Sequence, residues 1–236
     1  MRRSIQSRRD TLLTSPRHAV YWTPEPGHPL WAAGCAWLGR DPSAPALHEG
    51  GPPPGRAAPW RYGLHATLKP PMHLAPGREL AGLCTELQRL AEATPRFALQ
   101  PLGVATLGRF VALRPPCTPP RLQALADACV TRLDPWRAPL APGELERRAA
   151  GLSEERRALL QRWGYPHVLQ AWRFHLTLSD SIADAAARQS WLAAARQHFA
   201  DALAAPLEMA SISLFEEPAP GEPFRLRQRF ALRQVS

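Results

Sequence analysis

Leu64-His65-Ala66-Thr67-Leu68 decides how this chain is read, because Phe174-His175-Leu176-Thr177-Leu178 repeats it in the second half. Both stretches run apolar-His-apolar-Thr-apolar. In a strand, alternate side chains share a face. Each stretch therefore buries three apolar residues and presents an imidazole and a hydroxyl together on the other side. The same parity adds Lys69 to the face of His65 and Thr67, and adds Arg173 and Ser179 to the face of His175 and Thr177. Two such strands side by side predict a cationic, hydrogen-bonding cleft suited to a phosphate.

Working outward from the first motif, residues 18–23 (HAVYWT) predict a strand that stops before Pro24. Pro29 opens a helix ended by Gly39. Residues 41–59 are rich in Pro and Gly and predict a long loop, of a length usually mobile or functional. The stretch RYGLHATLKPP reads as a strand stopped by Pro70-Pro71. Helical periodicity covers residues 77–93, 119–133, 143–149, 153–163 and 184–204. Short strands are predicted over 97–113, a strand over 172–179, and an antiparallel pair at 207–215 and 224–232. Each half thus holds a His-x-Thr strand followed by a helix and further strands, a pseudo-repeat. Half of 236 residues is close to the size at which a core becomes marginal. One shared core over residues 17–236 is therefore expected, after a disordered basic tail (1–16) carrying Arg2, Arg3, Arg8 and Arg9.

The net charge is +9, and Lys69 is the single lysine among many arginines. The arginines are scattered, so the charge admits an anionic partner without pointing to nucleic acid. No apolar run is long enough to span a bilayer, and the first residues lack the apolar segment of a secretory signal. A cytoplasmic protein with no membrane partner is the expectation. Cys35, Cys84, Cys117 and Cys129 form no Cys-x-x-Cys pair, which argues against a zinc site or a disulfide framework. His73, His167 and His198 have no ligand-like neighbours in sequence, and His18, His28 and His48 sit in or near loops. Neither a metal nor a cofactor is expected.

Two histidines suffice for phosphoester chemistry. One neutral imidazole takes a proton from the attacking water or hydroxyl, and the other, protonated, donates to the leaving oxygen. Threonine hydroxyls and nearby cations stabilise the charge that develops on the non-bridging oxygens.

With these motifs the chain resembles the 2H phosphoesterase superfamily, whose mark is two His-x-Thr/Ser motifs in two pseudo-symmetric lobes. Within it, the stretches YWTPEPGHPLWAAGCAWLGRD, RYGLHATLKPP, DPWRAPL, RWGYPHVL, WRFHLTLS and LFEEPAPGEPFRL are similar to a branch found near phosphonate-utilisation genes. The resemblance implies an α/β (α+β) bilobal fold, with two antiparallel sheets flanked by helices around a central cleft. It also implies opening of a cyclic phosphodiester, and it places His65 and His175 as catalytic and Thr67 and Thr177 as phosphate-binding. Lys69, Arg173 and Tyr21 join them as substrate-binding residues. The expected substrate is a small phosphorylated metabolite of phosphonate or ribose-phosphate metabolism. Two alternatives stay open: RNA carrying 2′,3′-cyclic ends, and a nucleic-acid-binding module without chemistry.

The eight tryptophans are read mainly as core, with Trp31, Trp37 and Trp191 on helix faces. Trp60 and Tyr62, just before the first motif, are candidates for stacking on a ligand. RWGYPHVL is either a turn framing the cleft or a plain helix stop.

Overall fold

The computed structural model describes residues 15–44 and 50–234. All but Ser15 and Pro16 of the expected tail, and the middle of the 41–59 loop with His48, lie outside the described residues. The strands are β1 (Arg17–Trp22), β2 (Ala66–Met72), β3 (Phe97–Ala98), β4 (Gly103–Leu107), β5 (Phe110–Arg114), β6 (Leu176–Thr177), β7 (Glu208–Met209), β8 (Ser211–Glu217) and β9 (Arg225–Ala231). They form a four-stranded antiparallel sheet in the order β2-β1-β8-β9, a three-stranded antiparallel sheet β4-β5-β6, and the small pair β3-β7. The helices are α1 (Pro29–Leu38), α2 (Ala57–Tyr62), α3 (Leu80–Ala93), α4 (Pro120–Arg132), α5 (Pro142–Ala149), α6 (Glu154–Trp163) and α7 (Ala185–Ala204). The expected α+β class, with helix-flanked antiparallel sheets, is the observed one.

Each helix is placed by an apolar face. Leu83, Leu87 and Leu90 bury α3 against β9, and Leu122, Leu125 and Cys129 bury α4 against β2. Leu192, Ala195 and Phe199 bury α7, which covers β4 and β5 and packs against α1. One hydrophobic core draws Val20, Trp22 and Leu68 from one sheet and Leu176 and Leu178 from the other. Trp22 meets Phe174 with ring centroids 5.4 Å apart. Trp31 and Trp37 are buried as the sequence implied.

Both motif strands lie at a sheet edge, β2 in one sheet and β6 in the other. Edge position explains why Pro70 and Pro71 continue β2 instead of stopping it. A proline removes a ladder donor, and an edge strand has an N–H side with no neighbour to serve. The second motif was expected to be a full strand over 172–179. Only Leu176–Thr177 pairs regularly, with Leu178 adding a bond from its N–H to the carbonyl of Val111.

The end of the 41–59 segment, expected as loop and strand, is instead anchored and helical. Asp180 accepts from the backbone N–H groups of Ala57 and Ala58 at 3.0 and 2.6 Å, capping α2, and its own N–H donates to the Gly55 carbonyl. The Arg56 guanidinium lies 4.2 Å from the Trp37 ring and 5.0 Å from that of Trp191. The residue just past the second motif therefore holds the segment just before the first.

Candidate active site

The first half-site begins where α2 ends. Gly63 adopts φ +75°, open to glycine without strain, and its carbonyl meets His65 Nδ1 at 2.9 Å. Arg40, almost fully buried, clamps this turn by donating to the carbonyls of Trp60, Arg61 and Phe224 at 2.7–3.0 Å. Tyr62 is thereby set beside the motif, its ring centroid 5.6 Å from that of His65. Tyr21 pairs with Thr67 in register, and directly opposed residues share a face. The buried Tyr21 ring lies 4.0 Å from the His65 ring and rests on Phe215.

The second half-site repeats this geometry. His175 Nδ1 meets the carbonyl of Arg173 at 2.8 Å, again two residues upstream. A carbonyl oxygen only accepts, so in both imidazoles Nδ1 carries the hydrogen. Nε2 is left as the base when the ring is neutral and as the donor when it is protonated. Thr177 pairs with Ala112, and Leu176 with Leu113. The halves are tied directly: the Trp172 indole donates Nε1–H to the Thr67 carbonyl at 2.7 Å.

Lys69 does not join this site. The register runs Tyr21 to Thr67 but Val20 to Lys69, so β2 carries a bulge between Thr67 and Lys69. The extra residue reverses parity, turning Lys69 to the core side with Val20. There Lys69 is fully buried, Nζ donating to the Val130 carbonyl at 2.9 Å and lying 3.6 Å from Asp134. Arg173 is exposed, and its guanidinium donates to the carbonyls of Gln170 and Trp172. Its contribution to the site is its own carbonyl on His175. Ser179 is buried, accepting from the Val111 N–H and donating to the Asp180 carbonyl, and so serves the fold rather than the cleft.

Burial lowers both imidazole pKa values. His65 is pushed down to about 4, chiefly by burial, with the charge of His175 acting in the same direction against the Gly63 hydrogen bond. His175 is lowered by burial and by Arg114, against the Arg173 carbonyl. The cation that acts on His175 is thus Arg114, not Arg173, and Lys69 does not act on His65. The geometric link between the two motifs is the Trp172 bond to the Thr67 carbonyl.

Tyr165 and His167 follow α6 in the RWGYPHVL stretch. Tyr165 packs at its ring edge against His167, with centroids 5.4 Å apart, and Arg156 contacts the His167 ring. Burial lowers the His167 pKa, and Arg156 and His175 lower it further. RWGYPHVL holds the helix stop of α6 at Gly164, and Tyr165 packs against the apolar cluster of Val130, Leu159 and Val168. Sequence reasoning missed Arg114, whose placement appears only in the sheet register. Among the described residues no three His, Cys, Asp or Glu side chains converge as a metal site, and no helix is long and apolar enough to cross a membrane.

This is an α+β chain whose two His-x-Thr stretches lie on the edge strands of two different sheets. Residues 67–225 match the family model described as "Protein of unknown function (DUF1045)", and the chain belongs to that family. It is 39% identical over 226 residues to a ribose 1,5-bisphosphate phosphokinase PhnN of Janthinobacterium sp. (strain Marseille), covering 90% of this chain and 50% of that protein. With the protein of the same name from Laribacter hongkongensis (strain HLHK9) it shares 40% over 216 residues, 89% of this chain and 50% of the relative. The chain spans about half the length of the curated relatives it matches. Among solved structures, E. coli LigT complexed with 3′-AMP aligns with a TM-score of 0.45 and 17% identity, over 93% of this chain and 99% of that one. A structure described as a phosphoesterase aligns with a TM-score of 0.45 and 14% identity, over 92% and 99%.

Proposed function

We propose that this chain is a phosphoesterase of the 2H type, using its two histidines to open a cyclic phosphodiester on a ribose phosphate. The observation that carries this reading is the matched tautomer. Each imidazole gives Nδ1–H to the carbonyl two residues upstream, which leaves Nε2 free for chemistry in both. His65, held at about 4, is the neutral base that takes a proton from water as the oxygen attacks phosphorus. His175, protonated once the anionic substrate sits beside it, gives Nε2–H to the sugar oxygen as its bond to phosphorus breaks. Thr67 and Thr177 donate to the non-bridging oxygens. The Tyr21 ring packs under His65 and fixes its plane. No step in this scheme requires a metal.

The relatives' name and length support the choice of substrate class. Their name assigns them a kinase acting on ribose 1,5-bisphosphate. The present chain holds one lysine, followed by Pro70, and so lacks a Gly-rich phosphate loop ending in Gly-Lys-Ser/Thr. A kinase of that type belongs to the other half of those proteins. The half matched here is then placed to supply the kinase's substrate. Water opening a 1,2-cyclic phosphate of ribose 5-phosphate, with cleavage at the 2-oxygen, yields ribose 1,5-bisphosphate.

Phosphorus NMR of the full chain with this compound, and with 2′,3′-cyclic nucleotides and cyclic-ended oligonucleotides, tests the proposal. Ring opening of the ribose 5-phosphate compound at the highest kcat/KM is expected. Preference for the oligonucleotides would move the substrate to RNA, and failure to open any of them would overturn the reading.

A further inference from the structure

The three-stranded sheet carries a cation that the catalytic scheme leaves unused. β5 pairs with β6 through Ala112 with Thr177 and Leu113 with Leu176. Arg114 follows Leu113 and His175 precedes Leu176, so the two lie just beyond the paired residues at the same end of the ladder. On its other flank Arg114 pairs with Gly103. A Cβ at Gly103 would meet no atom within 4 Å, so the surface beside the guanidinium is open.

A groove of about 420 Å³ occupies this space, lined by Arg114 with Pro101, Gly103, Ala105, Pro115 and Pro116 among others. Arg114 is its only charged lining residue, and none of the four His-x-Thr residues lines it. The groove is therefore beside the reacting centre rather than at it. The charge of Arg114 nevertheless reaches His175, lowering its affinity for a proton. Arg114 also has no ion-pair or hydrogen-bond partner among the described residues, in contrast to Arg40, Arg137 and Arg173.

We infer that Arg114 is a specificity residue that binds a second, non-reacting phosphate of the substrate in the groove over Gly103. This rests on the phosphoesterase reading above. A guanidinium suits the role because it is always charged and presents paired N–H donors to phosphate oxygens. Proline walls and a bare glycine leave room for the anion without offering it a competing donor. A cyclic phosphodiester with a phosphomonoester at the far end of the sugar would thus be held at both ends. Its ring phosphate would lie between His65 and His175, and its free phosphate on Arg114.

The test compares two substrates, the 1,2-cyclic phosphate of ribose 5-phosphate and the same ring lacking the 5-phosphate, on wild type, Arg114→Gln, Arg114→Lys and Gly103→Asp. For Arg114→Gln, with each protein assayed at its own pH optimum because the charge of Arg114 also lowers the His175 pKa, KM for the phosphorylated substrate is expected to rise about 10–100-fold with kcat nearly unchanged, in line with loss of one charge-assisted contact. The substrate without the 5-phosphate should be affected less than about threefold. Arg114→Lys should restore part of the loss. Gly103→Asp sets a carboxylate opposite Arg114 in open space and should reproduce the KM effect. Equal losses on both substrates, or no loss on either, would overturn the inference. Inactivity of wild type on both rings would instead overturn the phosphoesterase reading itself.

Discussion

The indole of Trp172 donates to the backbone carbonyl of Thr67 across 2.7 Å, so the segment leading into one motif is bonded to the other motif's threonine. Two edge strands from different sheets have no ladder in common. This bond and the Asp180 cap on α2 tie the two motif segments directly, alongside the core that both share.

Trp172→Phe keeps most of the packing and removes the donor. A buried acceptor left unpaired costs about 1–3 kcal/mol, so the thermal midpoint should fall. Because the loss also loosens the spacing of the motifs, kcat/KM should fall by more than the fraction unfolded explains. Unfolding curves and kinetics on the same samples check this. A variant as stable and as active as wild type would show that the bond does not set the spacing.

The imidazole shifts predict an acidic optimum. The productive free enzyme needs His65 neutral and His175 protonated. With His65 at about 4 and His175 below its ordinary value, kcat/KM should peak between about 4 and 6.5. The stability effect has a definite sign. Between pH 6.5 and 4 the unfolded chain binds a proton that native His65 does not, so stability falls as pH falls through that window. Relative to wild type, His65→Gln should lose less stability from pH 7 to 4.5, read by denaturant titration. An equal loss would mean that His65 titrates normally in the fold.

Lys69 should matter to the fold and not to the reaction. Burial lowers its pKa to about 8, with Asp134 opposing the shift. The unfolded chain therefore binds more protons between pH 8 and 10.5, and stability should rise across that window. Lys69→Met removes this rise. It should leave kcat/KM of the folded protein within a few fold of wild type. A kcat/KM loss of a hundredfold or more in a folded Lys69→Met protein would place the lysine back in the reaction.

The parts of this site readable from sequence are those that depend on strand alternation alone. His65 with Thr67, and His175 with Thr177, are two apart, and nothing intervenes to change their faces. Lys69 is also two residues on, yet a bulge lies between it and Thr67. Alternation cannot reveal an inserted residue. Arg173 has the right parity, but β6 starts only at Leu176, so its side chain follows loop geometry and bonds to nearby carbonyls. Arg114 is invisible for a different reason: it is distant in sequence from His175, and only the pairing of β5 with β6 brings their strand ends together. Helices were more legible than strands because their caps are local, as with Pro29 and Gly39 around α1, or Asp184 accepting from the Ala187 N–H at the start of α7. Helix α2 was not, because its cap comes from Asp180, over a hundred residues away.

The central claim is that His65 and His175 together open a cyclic phosphodiester. Its most direct measurement is the ring-opening rate of chelator-treated wild type, His65→Ala and His175→Ala on the 1,2-cyclic phosphate of ribose 5-phosphate, each checked for native folding. The account predicts full wild-type activity in the chelator and a loss of about 10²–10⁴-fold for each variant. Full activity in either variant, or abolition of wild-type activity by the chelator, would contradict it.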